Sequence, residues 1–392
     1  MENKARFILK NALSGERESR FPDMRILIAP DSFKGTMTSS EVCRVVSSAI
    51  KEVLPDAEVV CLPVADGGEG SVEAFAAALG EKARTVTVKG TDSFGCVRNN
   101  MKICVFGTTA VIEIAQSAGL QPNRPDIMNS TTYGVGALIK AALDEGCRRL
   151  IFCLGGSGTN DMGAGAACAM GVRFYDRNGC ELVPKSGGLS GIGSVDLSGL
   201  DARLRECEII GACDVTNPLY GNHGAAAVYG PQKGADEELI KVLDAGIRRL
   251  ADIAEKEAGR SVAYTPGAGA AGGFGAGIML FFGGKLASGA DTVLNAVGFD
   301  EAAEKADIVI TGEGRADAQS VCGKIVSRVA ERSSGKEVMC FCGKVGDGAE
   351  KLLEHGVSRL ICITPDGQSP DEAKANCFEN LRRAVLKTAE TL

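Results

Sequence analysis

Short apolar runs alternate with stretches of helical spacing at both ends of this chain, and that alternation restricts the fold more than any other feature. RILIAP (25–30) has the length and apolar content of a buried strand. SSEVCRVVSSAIKEVL (39–54) then places apolar residues at helical spacing, with Thr38 or Ser39 as N-cap and Glu41 near the third position. AEVVCLPV (57–64) is a second strand, and SVEAFAAALG (71–80) a second helix that ends on glycine. Strand, helix and strand at this spacing make a βαβ unit of a parallel sheet. The same order returns late in the chain, with strands in ADIVITGEG (306–314), EVMCFCG (337–343) and RLICITP (359–365), and a helix in KIVSRVAERSSG (324–335). A closing helix is expected over 368–391, with Pro370 in its first turn.

The middle reads differently. TVTVKG (85–90) and NNMKICVFGTTAVIEIA (99–115) suggest antiparallel hairpins, TYGVGALIKAALDEG (132–146) a helix, and RRLIFCLGG and CEIIGACDV (207–215) strands. Residues 236–258 carry the pattern of a charged amphipathic helix. The expected architecture is α/β with two domains. A discontinuous Rossmann- or flavodoxin-like domain takes 24–88 and 286–392, a mixed α/β domain of 89–285 is inserted in it, and 1–23 is an N-terminal extension. A length of 392 residues accommodates two such domains.

Composition removes several function classes. A net charge of −7 argues against a nucleic-acid partner, which needs a basic face, and the absence of Trp removes the best base-stacking side chain. With only two histidines, His223 and His355, a Cys/His metal cage is disfavoured. Fifteen cysteines without a C-x-x-C pair, many inside apolar runs, read as reduced buried thiols of a cytoplasmic protein. No apolar run is long enough for a membrane span, and residues 1–23 lack the apolar core of a secretory signal. A homo-oligomer is left open.

Glycine marks the chemistry. LGGSGTNDMGAGAACAMG (154–171) and TPGAGAAGGFGAGIMLF (265–281) share GAGAA, and each reads as a loop that opens a helix. Such loops bring backbone N–H groups close to an anion, most often phosphate; close packing of small residues is the competing reading. Neither is a Walker A loop, because no G-K-[ST] follows. APDSFKG puts Asp31, Ser32 and Lys34 at a strand end, where open α/β sheets bind ligands. ADGGEG adds Asp66 and Glu69 on the same edge, and CDVTNPL adds Asp214. GPQKGA supplies Lys233, SGAD supplies Asp291, and TGEGRADAQS supplies Glu313, Arg315 and Asp317. Lys324 at a helix start is unfavourable for the dipole, so a bound anion explains it better than stability does.

In this order and spacing, APDSFKG, ADGGEG, GGSGTND, CDVTNPL, GPQKGA, PGAGAAGG and TGEGRADAQS closely resemble the bacterial glycerate kinase type-1 family, from Met24 nearly to the C-terminus. The resemblance implies an ATP- and magnesium-dependent kinase of D-glycerate that makes 2-phosphoglycerate. The chain departs from the family pattern at Gly158, at Met162, at Ala137 and in FCGKVG. The expected site lies in a cleft between the domains. Asp31, Ser32, Lys34, Arg315 and Lys324 face the substrate, some of the three cations holding its carboxylate. The triphosphate lies against Gly155, Gly156, Ser157, Thr159 and Asn160 and against Gly267, Gly269 and Gly272. Magnesium draws on Asp66, Asp214 and Asp291, and Asp66 or Asp214, with Lys34, serves the transfer itself. The alternatives are a kinase of another small hydroxy acid and a non-catalytic nucleotide-binding regulator.

Overall fold

A computed structural model describes residues 24–123, 125–321 and 323–392; the expected extension 1–23 lies outside the described residues. In chain order the strands are β1 (Arg25–Ile28), β2 (Glu58–Cys61), β3 (Arg84–Thr91), β4 (Val97–Phe106), β5 (Thr109–Glu113), β6 (Arg149–Cys153), β7 (Arg173–Asp176), β8 (Glu181–Leu182), β9 (Ile192–Asp196), β10 (Glu208–Ala212), β11 (Lys285–Ala287), β12 (Ile308–Ala316), β13 (Glu337–Val345) and β14 (Arg359–Cys362).

Five of them form a wholly parallel sheet in the order β14-β13-β12-β1-β2. Counted along the chain this is the flavodoxin-like order 2-1-3-4-5, in which the ligand crevice opens where the order reverses. Here the reversal lies between β1 and β12. The second sheet runs β11-β10-β6-β5-β4-β3, parallel from β11 to β5 and antiparallel beyond. The chain is therefore α/β, with one parallel and one mixed sheet, as the alternation predicts. Residue 88 falls inside β3 and residue 286 inside β11, so the chain changes sheets between β2 and β3 and returns between β11 and β12. A small antiparallel sheet, β8-β7-β9, was not legible in the sequence, because its strands are short and weakly alternating.

The helices form for local reasons that the sequence carries. Over Ser39–Val53, Thr38 Oγ1 accepts from Glu41 N at 3.2 Å and Glu41 Oε2 accepts from Thr38 N at 2.9 Å, a closed capping box. That helix and Cys377–Ala389 bury Val42, Val46, Leu381 and Val385 on the outer face of the parallel sheet. Helices Ser71–Leu79, Gly289–Ala296 and Ile325–Arg332 occupy the space between the two sheets. Their Phe75, Val293 and Val326 share one core with Leu27 and Val309 of the parallel sheet and with Val111 and Ile151 of the mixed one. Helices Val135–Asp144, Glu237–Ala258 and Ala270–Leu280 close the far face of the mixed sheet. Among the described residues no helix is long and apolar enough to cross a membrane.

The two GAGAA stretches pack on each other. Met162 N donates to Gly272 O at 3.0 Å, and a Cβ on Gly272 would stand 2.0 Å from Thr159 O. A Cβ on Gly277 would stand 2.3 Å from Met162 O. Met162 and Ala271, at φ 57° and 54°, are the only non-glycine residues with left-handed backbone among the described residues, and both lie at this crossing. The second stretch does not run straight into its helix, since Ala271, Gly272 and Gly273 all have positive φ. Gly272 thus combines φ 67° with a contact that leaves no room for a methyl group. Gly272→Ala is expected to cost about 2–4 kcal/mol in urea unfolding. Gly188→Ala, whose Cβ meets nothing within 4 Å, should stay within about 0.5 kcal/mol.

Candidate active site

The ends of β1, β2 and β12 deliver one charged cluster at the crevice of the parallel sheet. Asp31 follows β1, is buried, and accepts from Ser32 N at 2.7 Å. Lys34, three residues on, reaches Asp66 Oδ2 at 2.6 Å in the loop after β2. The other oxygen of Asp66 takes Gly68 N at 3.0 Å. Glu313 lies on β12, is buried, and keeps its Oε1 without a hydrogen-bond partner. Burial, with Asp66 and Glu313 beside it, pushes the Asp31 carboxyl up to about 7 despite the lowering by Lys34. Burial likewise raises Glu313. For Lys34, burial acts to lower the pKa, but the attraction and hydrogen bond of Asp66, with Asp31 and Glu313 adding, carry it above its ordinary value.

The mixed sheet brings its own strand ends to the same place. The loop after β6 lies on the loop after β2: Gly155 N donates to Gly67 O at 3.1 Å, and a Cβ on Gly155 would meet Gly68 Cα at 2.5 Å. Gly155 requires glycine because two backbones touch there, whereas a Cβ on Gly68 would first meet Asp66 Oδ1, at 2.8 Å. Asp214, after β10, accepts from Ser288 Oγ at 3.0 Å, Gly289 N at 2.8 Å and Ala290 N at 3.2 Å. It therefore caps helix Gly289–Ala296 from another strand. Burial raises its pKa, with Asp66 adding and the three donors opposing. A Cβ on Gly289 would lie 2.8 Å from both Asp214 Oδ2 and the backbone carbonyl of Asp66, so the Asp66 loop and the Asp214 carboxylate close on this glycine.

Two cavities open here. One, of about 670 Å³ at the β1/β12 reversal, is lined by Asp31, Ser32, Lys34, Glu313 and Arg315. The other, of about 530 Å³, is lined by Gly155, Gly156, Ser157, Asp214 and Lys233. Asp66 and Lys324 line both. Lys324 is also the N-cap residue of helix Ile325–Arg332.

The other expected residues are divided, some lining a cavity and others lying outside both. Arg315 lines the larger cavity with its guanidinium 3.1 Å from Asp317. Asp291 lines neither cavity; it faces Arg328 and Arg332 at 3.6 Å each. Gly267, Gly269 and Gly272 have Cys213 Sγ, Pro218 O and Thr159 O where their side chains would be, so their hydrogens meet protein. Thr159 and Asn160 are fully buried; Thr159 Oγ1 and both amide atoms of Asn160 have no partner. Asp161 takes hydrogen bonds from Thr131 Oγ1, Thr132 N and Oγ1, Gly163 N and Gly165 N, which makes it an internal anchor of the glycine loop. The sequence left Lys233 as a turn residue, whereas its ammonium is driven under that loop. Only the uncommon placing of a lysine between turn glycines hinted at this.

The model of the glycerate kinase family matches residues 26–392. The chain belongs to the glycerate kinase family. It is 40% identical over 375 residues to the glycerate 2-kinase of Escherichia coli K12, covering 94% of this chain and 98% of that protein. It is 43% identical over 370 residues to the glycerate kinase of Halalkalibacterium halodurans, covering 93% and 97%. A crystal structure from Salmonella typhimurium LT2, provisionally assigned as glycerate kinase 2, superposes with a TM-score of 0.83 at 38% identity, over 94% of this chain and 98% of that one. The glycerate kinase family is thus confirmed for this chain, along with the two-sheet α/β fold that the ordered motifs imply.

The raised Asp31 carboxyl makes a stability prediction. A carboxyl whose folded pKa lies above its ordinary value is a better proton acceptor folded than unfolded, so its contribution is favourable at low pH and is lost as pH rises to about 7. The melting temperature of Asp31→Asn relative to the unaltered protein should therefore rise between about pH 4.5 and about pH 8. A difference independent of pH would show that Asp31 ionises as an ordinary surface acid.

Proposed function

We propose that this protein transfers the γ-phosphoryl group of ATP to D-glycerate, in the cytoplasm, and that the product is 2-phosphoglycerate. One observation carries the reading: two adjoining cavities share Asp66 and Lys324 on their common wall. A two-substrate transfer needs two compartments and a shared point of contact. The Escherichia coli relative is a glycerate 2-kinase, which supports the position of the new ester.

In this reading glycerate enters the cavity at the β1/β12 reversal. Its carboxylate meets Lys34 and Lys324, with Arg315 at the rim. The triphosphate end of ATP lies along Gly155, Gly156 and Ser157 of the other cavity, where the Gly155 N–H is held by Gly67 O and the Ser157 hydroxyl lines the wall. Asp66 sits on the wall between them, in position to orient the acceptor hydroxyl and take its proton. Lys34, held 2.6 Å from Asp66, fixes that carboxylate and offsets charge building on the transferred group.

Magnesium fits the donor set present. Asp66 and Asp214 line the same cavity, and each carboxylate has lone pairs beyond the bonds described. Among the described residues no three His, Cys, Asp or Glu side chains form a ready cage. An ion held by one or two carboxylates and completed by phosphate oxygens and water suits such a site. When bound it would neutralise phosphate charge. Asp291, committed to Arg328 and Arg332, would serve by anchoring those arginines.

Phosphorus NMR of the protein with ATP, magnesium and D-glycerate tests the reading. A new 2-phosphoglycerate signal is expected, and Asp66→Asn should lower turnover about 100-fold or more while keeping the melting temperature. A 3-phosphoglycerate signal would overturn the position of transfer, and near-normal turnover of Asp66→Asn would remove that aspartate from the chemistry.

A further inference from the structure

Lys233 is a buried cation to which the scheme above assigns nothing. It ends the single turn Pro231–Lys233 and is 3% exposed. Its Nζ donates to Thr159 O at 2.7 Å and to Ser157 Oγ at 3.1 Å. An ammonium has three donors, so one N–H is left, and both partners are neutral. The acid whose charge it feels is Asp161. That carboxylate is already committed to five N–H and O–H donors on the other side of the glycine loop. Among the described residues Lys233 therefore has no ion pair of its own, so its ammonium form is a desolvated charge, an arrangement that folding alone disfavours. It borders the cavity that Gly155, Gly156, Ser157 and Asp214 line. A packing role would be met better by Met or Leu, and a hydrogen bond to Thr159 O by a neutral amide. What a lysine adds is charge, placed behind a loop whose glycines let an anion approach.

We infer that Lys233 is the anion grip of the glycine-loop cavity, its remaining N–H taking an anionic oxygen of a bound substrate, either a phosphoryl oxygen of the nucleotide or a carboxylate oxygen of the acceptor. Both are hard, anionic oxygens that restore the charge balance of the buried ammonium. Burial pushes the free ammonium down to about 7, so an arriving anion strengthens its hold on the proton. Ser157 is a second contact at the same place: its Oγ accepts from Lys233 and keeps its own hydrogen to donate to the same anion. The inference rests on the kinase reading only for the identity of the anion.

The test is Lys233→Met in the full chain, with Lys233→Gln as a second variant that keeps a donor for Thr159 O but removes the charge. Michaelis constants for ATP and for D-glycerate are measured separately. One of them should rise about tenfold to 100-fold in both variants, while the other stays within about twofold. A rise for ATP identifies the phosphoryl oxygen as the ligand; a rise for D-glycerate identifies the carboxylate. If both constants are unchanged in the variant that folds, Lys233 is a structural staple and the inference is overturned, even if the melting temperature falls. The unaltered protein, assayed alongside, separates this from the kinase reading, which fails if no phosphoglycerate forms. In that event calorimetric titration of ATP and of D-glycerate into the unaltered protein and Lys233→Gln still decides the point. Weakening of either ligand supports the grip, and equal binding of both removes it.

Discussion

Two carboxylates of the mixed sheet hold the molecule together by capping helices that lie against both sheets. Glu113, at the end of β5, accepts from Val72 N at 2.5 Å at the start of helix Ser71–Leu79. Asp214, beyond β10, accepts from Gly289 N and Ala290 N at the start of helix Gly289–Ala296. A helix begins with four N–H groups lacking intrahelical partners, and here those donors are satisfied across the interface between sheets. Both helices also bury apolar residues in the shared core. Position and direction are thereby fixed together, by packing along the helix and by a charged bond at its end. The loop carrying Asp66 leads directly into the first of these helices, and the Ser288 turn into the second. The geometry of the cleft follows from the two caps, because the loops cannot move without breaking a buried charged hydrogen bond.

The glycine content follows from the same closeness. Gly67, Gly68 and Gly155 allow the loops of two different sheets to touch at the cleft floor. Gly272 and Gly277 allow the second GAGAA stretch to sit on the first. The first stretch lines the smaller cavity with Gly155, Gly156 and Ser157, and the second reaches it only at Ala270 and Ala271. The second supports it from behind, and its left-handed residues are held by the Met162–Gly272 hydrogen bond. Two similar strings thus serve different ends, and the difference is one of layer. One stretch follows a sheet strand into the cleft, while the other lies in the helical layer over the mixed sheet.

The parallel sheet was legible because apolar strands and capped amphipathic helices are local patterns; Thr38, Glu41 and Pro370 fall where capping chemistry puts them. The convergence of Asp31, Lys34 and Asp66 was legible as well, since residues at the ends of neighbouring parallel strands must meet. The partners of Asp291 were not, because its arginines lie on a helix more than thirty residues away and nothing local signals them. Lys233 was hidden for a related reason. A lysine in a turn normally points to water, and only the tertiary path of the glycine loop over it makes it a buried ion. Asp161 is fully buried and anchors the glycine loop through five N–H and O–H donors, three of them brought by Thr131 and Thr132, which neighbour it only in the fold.

The lysines of the cleft differ most in how easily they change partners. The Lys34 side chain is 70% exposed while its partner Asp66 is 24% exposed, so the pair sits at the mouth of the cleft and is partly screened by solvent, with a contribution of about 1 kcal/mol. In the proposed reaction, sharing Lys34 with a substrate carboxylate or a phosphoryl oxygen would cost little. Lys233 has no such pair to break and cannot turn to solvent. It is the fixed charge and Lys34 the exchangeable one. A transfer site needs both kinds: a preorganised group that fixes the anion before reaction, and a group whose partner changes as charge moves. With a net charge of −7 the protein as a whole does not draw anions in, so in the proposed scheme recognition would fall to this division between a buried and an exposed lysine and not to bulk electrostatics.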